Sequence, residues 1–294
     1  MLLITFAGPG GDRLGIQAGS DIVDVAAAAA ECGLDAPATM LDVIRGGATA
    51  LTALETLLAG DPARLPLETV TLRAPLRPGK VVGVGLNYTE HVAESARTLD
   101  TDKELPQRPV LFSKPATAVV GPGEPIQHNG GLTAQLDWEC ELAVVIGKTA
   151  KRVSAQAAMD HVFGYSIVND ISARDQRRSG QWFFSKGQDS YAPFGPAIRT
   201  VDDVADPYGL ELSLRVNGDV KQKSSTKYML FRIAELIADI SSGMTLEPGD
   251  VIATGSPAGV GASFTPQQFL QPGDVVEASI QDIGTLRNPV VDAR

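Results

Sequence analysis

Glu139 and Glu141 stand two residues apart at the head of an apolar run, Asp137-Trp138-Glu139-Cys140-Glu141-Leu142-Ala143-Val144-Val145-Ile146. Alternate side chains of a strand share a face, so both carboxylates point the same way, about 6 to 7 Å apart along the backbone, with Cys140 opposite. Two like charges beside a buried run need a counter-charge, because an unpaired anion in a low dielectric is costly. A hard divalent metal meets that need, and so do lysine or arginine partners. Asp170 ends the next strand pattern, Gly164-Tyr165-Ser166-Ile167-Val168-Asn169-Asp170. A strand-loop-helix-strand connection brings successive strands side by side, which makes Asp170 the third ligand in the metal reading. Three carboxylates suit Mg, Mn or Ca and leave positions open for water and a chelating 2-oxo acid.

Other residues bring acid-base and anion-binding chemistry. His91 and Glu94 are three residues apart, on one face of a helical turn, where a carboxylate orients a histidine as a base near neutral pH. The same spacing also describes a solvated helical face. Arg174 offers a bidentate site for a substrate carboxylate, or else pairs with Asp175 or another acid. Lys186, in Phe183-Phe184-Ser185-Lys186, is either an ammonium held near an anionic intermediate or a surface lysine. Thr254 and Ser256 sit in Ala253-Thr254-Gly255-Ser256-Pro257-Ala258-Gly259, where hydroxyls and backbone NH groups bind carboxylate oxygens or serve the loop alone. Gly83-Val84-Gly85 is too short for a nucleotide fingerprint and marks a loop at a strand end.

The elements that must position these residues follow from patterning. The 294 residues, 44% hydrophobic and 20% charged, describe an ordinary globular chain of one large domain, or a large one with a small one. Residues 1–75 read as a small α+β unit: a strand, a Gly-rich turn, a strand near Ile22–Val25, and helices at 25–32, 39–45 and 49–59. A Pro-rich connection follows, with a short strand at Val70-Thr71-Leu72. Residues 76–294 carry short β-branched runs at 81–84, 110–112, 142–146, 164–168, 210–216, 250–253 and 275–280. Helices interrupt them at 155–162 and 231–242, so the fold class is α+β, mainly β, with a mixed or antiparallel sheet.

A net charge of -10 excludes nucleic acid and anionic membrane surfaces as partners, since both need clustered Lys and Arg. No apolar stretch approaches the about 20 residues of a membrane span, and the start lacks a signal-peptide pattern, so the expected location is cytoplasmic. Cys32 and Cys140 form no metal pair and are both expected as small buried residues.

Taken in order, Gly85-Leu86-Asn87-Tyr88 with His91 and Glu94, Phe112-Ser113-Lys114-Pro115, Glu139-Cys140-Glu141, Asn169 to Asp175, Ser185-Lys186-Gly187 and Asp250 to Gly261 resemble the fumarylacetoacetate hydrolase superfamily over roughly residues 75 to 290. The resemblance implies a mixed β-sandwich roll, usually homodimeric, behind a small N-terminal domain. It implies that Glu139, Glu141 and Asp170 hold a divalent metal, Mg first, with Mn or Ca as alternatives. His91 and Glu94 would then activate water, Lys186 would stabilise developing negative charge, and Tyr88, Arg174, Gln181, Thr254 and Ser256 would face a 2-oxo acid substrate. The expected reaction is hydrolysis of a carbon-carbon bond in an acylpyruvate-like 2,4-dioxo acid, giving pyruvate and a carboxylic acid. The alternatives are oxaloacetate decarboxylation or keto-enol tautomerisation, isomerisation or hydration of unsaturated 2-oxo acids, and non-catalytic dicarboxylate binding. This chain departs from the family pattern at Arg177, where relatives carry Gln, and at Ser256, where they carry Thr. The Gln to Arg change implies a shifted loop or a more basic carboxylate pocket.

Overall fold

The structure is a computed structural model and describes residues 1–90 and 105–293. Strands β1 (Leu2–Gly8), β2 (Gly11–Ala18) and β3 (Asp21–Asp24) precede helices α1 (Val25–Cys32) and α2 (Met40–Ala59). Asp24 caps α1 by accepting the Ala27 N–H, and Thr39 and Asp42 form a reciprocal capping box on α2. Next come β4 (Val81–Gly85), β5 (Val110–Lys114), β6 (Cys140–Ile146), the single turn α3 (Ala155–Ala158) and β7 (Val162–Asn169). The remainder holds α4 (Phe183–Lys186), β8 (Ala192–Thr200), β9 (Glu211–Val216), β10 (Asp219–Ser225), α5 (Ile233–Gly243), β11 (Val251–Ala253), β12 (Val275–Ile280) and β13 (Gly284–Asp292).

A run apolar on both faces needs cover on both sides, and β6 receives it. A twelve-stranded sheet has the order β3-β2-β1-β8-β7-β6-β11-β4-β5 along its main path, with β11 and β4 parallel and the other neighbours antiparallel. A five-stranded sheet, β10-β9-β12-β13 and Ile126–His128, packs against it. Alternate residues of β6 serve two cores. Cys140, Leu142, Val144 and Ile146 join the cluster facing the smaller sheet and α5, while Ala143 and Val145 join the one under α1 and α2. Glu139 and Glu141 lie on the latter face, at the open end of the strand. The fold is thus mainly β with mixed sheets, as the patterning predicts.

Several elements differ from expectation. The N-terminal strand β1 pairs with β8, Leu2 opposite Arg199, so one sheet runs across the 75/76 division. Strand β8 was hidden by Pro193, Gly195 and Pro196. Its pairing with β7 shifts between Tyr165 and Ile167, and Pro196 falls in that irregular stretch, where no ladder donor is required. The helix expected over 155–162 is one turn followed by a 3-10 turn at Met159–His161, because Val162 already belongs to β7. The two helical patterns expected at 39–45 and 49–59 are both present within Met40–Ala59, separated by the non-helical Gly47 (φ 52°). Cys140 is buried but Cys32 is exposed, since it overhangs the last turn of α1 beyond the residues the helix buries.

Leu142 is fully buried at the centre of this arrangement, and its carbonyl accepts both the backbone N–H and the hydroxyl of Thr254. Leu142→Ala should destabilise the protein by about 2–5 kcal/mol through the cavity it leaves. Urea unfolding followed by far-UV circular dichroism measures this, and a change below ~1 kcal/mol would mean that the surrounding core collapses around the gap.

Candidate active site

The antiparallel register sets Cys140 opposite Asn169, which carries Glu139 and Asp170 to the ends of adjacent strands, where the Asp170 N–H donates to the Glu139 carbonyl at 2.8 Å. The carboxylates of Glu139, Glu141 and Asp170 meet there, with one oxygen from each within 4.8 Å of the others, and all three are buried. Asn169 reinforces the join by accepting the Glu139 N–H through Oδ1 at 3.0 Å.

Cations surround part of this cluster. Lys186, at the end of α4, reaches Glu139 Oε2 at 2.6 Å, Asp170 Oδ2 at 2.5 Å and Ser172 Oγ at 2.8 Å. Lys114, wholly buried at the end of β5, pairs with the other Asp170 oxygen. Arg174 donates through Nε to Asp137 at 2.8 Å and through a terminal nitrogen to Glu139 at 2.7 Å. Ion pairs therefore account for Glu139 and Asp170 but not for Glu141. Glu141 accepts the Gly255 N–H at 2.9 Å, and among the described residues no lysine or arginine pairs with it.

The electrostatics follow this division. Burial pushes the Glu141 carboxyl well above its usual range, and Asp170 and Glu139 push it further. Burial also raises Asp170, against the opposing pull of Lys114 and Lys186. Desolvation lowers the Lys114 ammonium in spite of Asp170, whereas the attraction of Asp170 and Glu139 outweighs desolvation at Lys186 and leaves it raised. Asp137, Glu139 and Asp170 are thus ion-paired to Arg174, Lys186 and Lys114, whereas Glu141 has no ion-pair partner among the described residues. A divalent ion fits this donor set of three convergent hard oxygens.

A cavity opens beside the cluster, lined by Glu139, Glu141, Arg174, Arg177, Trp182 and Ser256 among others. Glycines shape its wall. A Cβ on Gly83 would lie 2.1 Å from the Phe112 ring, and one on Gly85 would lie 2.2 Å from Trp182. The pair is a seat for two aromatic rings rather than a phosphate loop. Those rings meet at 5.5 Å, and Lys186 Nζ lies 4.8 Å from the Phe112 centroid. Gly85→Ala should displace the indole and cost about 1–3 kcal/mol by overpacking. The fluorescence of Trp182, one of two tryptophans, should then red-shift; an unshifted spectrum would show that the ring is not held there.

The substrate-side residues named from sequence are placed unequally. Ser256 lines the cavity, and its hydroxyl accepts a hydrogen bond from Gln222 Nε2 at 2.8 Å. Arg174 lines it too, but its guanidinium is held by Asp137 and Glu139, not by Asp175, which binds Thr133 and the Ala134 N–H instead. Thr254 spends its hydroxyl on the Leu142 carbonyl and is fully buried. Tyr88 is buried in the core under the smaller sheet. Gln181 is exposed and borders a shallow surface groove with Val110 and Phe183. His91 and Glu94 lie outside the described residues.

Three further residues support the site without a readable signal. Asp137 is wholly buried and accepts from Arg174, from the Trp138 N–H at 2.8 Å, and from the Gly261 and Ala262 N–H groups at 2.6 and 3.0 Å. Gln222 accepts the Cys140 N–H at 2.9 Å while donating to Ser256 and the Pro257 carbonyl. Asn87 donates to the carbonyls of Phe231 and Thr254 at 3.0 and 2.7 Å and accepts the Phe231 N–H at 2.7 Å. Asn87 thereby ties the end of β4 to the start of α5 and to the loop after β11.

Residues 80–291 match the family model described as fumarylacetoacetate (FAA) hydrolase C-terminal. The chain is 41% identical to a mitochondrial oxaloacetate tautomerase of Bos taurus over 299 aligned residues, 99% of this chain and 92% of the other. A fumarylacetoacetate hydrolase from psychrophilic Exiguobacterium antarcticum superposes with a TM-score of 0.84 at 40% identity, covering 100% of both chains. Maleylpyruvate hydrolase from Sphingobium sp. SYK-6, in complex with manganese(II) and pyruvate, superposes with a TM-score of 0.81 at 34% identity, again over 100% of both chains.

Proposed function

We propose that this chain, which belongs to the fumarylacetoacetate hydrolase family, is a metal-dependent tautomerase that interconverts the keto and enol forms of oxaloacetate. The observation that carries this reading is the near full-length likeness to an oxaloacetate tautomerase. The buried triad Glu139, Glu141 and Asp170 supplies the matching chemistry. A bound dication would contribute Lewis acidity toward the oxygen on which enolate charge develops. The remaining work belongs to the chain. Its carboxylates fix one end of the cavity, and Lys186 keeps a positive charge between Glu139 and Asp170, where negative charge would otherwise accumulate. Trp182 and Val84 wall the cavity with apolar surface, and Phe112 backs Trp182, which lowers the local dielectric and strengthens those interactions. Tautomerisation moves a proton between carbon 3 and the 2-oxo oxygen and breaks no carbon-carbon bond, so the reaction needs no activated water.

Purified protein with Mg or Mn should speed the loss of enol absorbance from fresh oxaloacetate and should release little pyruvate from acetylpyruvate or maleylpyruvate. Acylpyruvate hydrolysis is the second reading, favoured by the superposition on maleylpyruvate hydrolase. A higher kcat/KM for pyruvate release than for enol loss would replace the first reading with the second.

A further inference from the structure

We propose that Arg177, stacked on Trp182, binds the distal carboxylate of a dicarboxylic 2-oxo acid and sets a preference for diacids over monoacids in the same cavity. This inference rests on the tautomerase reading and names the group in the cavity that would choose the substrate. Arg177 lines the cavity together with Glu139, Glu141 and Ser256. Its guanidinium carbon lies 4.8 Å from the centroid of the Trp182 ring, and that ring is itself seated on Gly85 and packed against Phe112. The arginine is therefore held by its flat face, which leaves its edge donors for an in-plane acceptor.

Its Nε is buried with no hydrogen-bond partner among the described residues. A buried donor without an acceptor is unusual in a folded protein and marks a place where a ligand completes the bonding. The contrast with Arg174, three residues earlier, is direct. Arg174 is committed to Asp137 and Glu139, so it stiffens the carboxylate cluster, whereas Arg177 is a cation of the cavity with no acid bonded to it among the described residues. Desolvation and the neighbouring Arg174 charge disfavour the Arg177 cation, and the Glu139 charge offsets them only in part. An anion between them and the cavity mouth offsets both effects.

Gln176, the residue that the family pattern would have placed in the cavity after a one-residue shift, instead donates to the Leu132 carbonyl at 2.5 Å on the exposed side. Of the two outcomes posed by the sequence departure, a shifted loop or a more basic pocket, the geometry supports the second. The residues Glu139, Glu141 and Asp170 would hold a dication at one end of the cavity, and a 2-oxo acid whose first carboxylate and 2-oxo oxygen turn toward that ion would direct its fourth carbon away from these like-charged side chains. Arg177 is the charged group on the wall that a second carboxylate meets.

The test compares two stable probes that differ by one group. Malate carries a carboxylate where 2-hydroxybutyrate carries a methyl, and both chelate through the same hydroxy acid end. Calorimetric titration of the Mg-loaded wild-type protein should give malate a ~10- to 100-fold tighter Kd, the range for a charge-assisted bidentate contact. Arg177→Met should remove that preference and leave the Kd for 2-hydroxybutyrate within about 2-fold, and Arg177→Lys should restore part of it through charge without the fork. Undiminished preference in Arg177→Met, equal weakening of both probes, or no preference in the wild type would each overturn the assignment. If the wild type prefers malate but does not interconvert oxaloacetate, the tautomerase reading fails and the role of Arg177 stands.

Discussion

Glu141→Gln is expected to weaken Mn binding by more than roughly 100-fold, because changes to groups merely behind the ligands already cost 10- to 100-fold. At a fixed, low metal concentration turnover should fall in proportion. The same substitution should leave the metal-free protein as stable as the wild type, or more so. Glu141 is a buried carboxylate whose hydrogen-bond partner among the described residues is one backbone N–H, and burial pushes its carboxyl upward because the charged form is unfavourable there. An amide of the same shape removes that unfavourable charge and keeps an oxygen for Gly255. Isothermal titration with Mn and thermal melts in a chelator read the two effects separately. A large drop in the melting point of chelated Glu141→Gln would show that the carboxylate stabilises the fold by itself, and unchanged Mn affinity would remove it from the ligand set.

Lys186→Met should have the second large effect and the opposite pattern. The ammonium has three protons and meets three oxygens, Glu139 Oε2, Asp170 Oδ2 and Ser172 Oγ, so its donor capacity is fully used. Methionine keeps the length and leaves two buried carboxylates short of one cation, which should destabilise the chelated protein by about 3–5 kcal/mol. The kcat of the metal-loaded enzyme should fall by roughly 10²- to 10³-fold, the scale for losing one preorganised electrostatic group. Lys186→Arg should not rescue it, since a planar fork cannot place three donors on three acceptors that surround a single point. Wild-type stability together with a large kcat loss would confine Lys186 to the chemistry, and the reverse would confine it to the fold.

The contrast between these variants also shows which parts of the site were legible in the sequence. Glu139, Glu141 and Asp170 could be read because strand periodicity is local and the two strands are neighbours, so residue spacing translates directly into position. The same holds for the core faces of β6. Asp137, Gln222 and Lys114 could not be read, because each acts through a partner tens to more than a hundred residues away. Arg174 illustrates the limit well. Its chemistry was visible, but its partners are Asp137 and Glu139 rather than the adjacent Asp175, and only the fold chooses between them. Strand β8 was missed for a different reason: its prolines and glycine occupy an irregular stretch of pairing that propensity counts against a strand. The glycines before Asn87 were visible as a turn signal, yet their use is steric, leaving room for Phe112 and Trp182.

Asn87 is a joint between segments far apart in the chain. Its side chain fastens the chain to the Phe231 and Thr254 backbone only three residues before Glu90, ahead of His91. Thr254 in turn donates to the Leu142 carbonyl of β6 and Gly255 donates to Glu141, so the fastening reaches the carboxylate cluster. Asn87 is thus a keystone: a change that loosens it would free the end of β4, the start of α5 and the loop over Glu141 together.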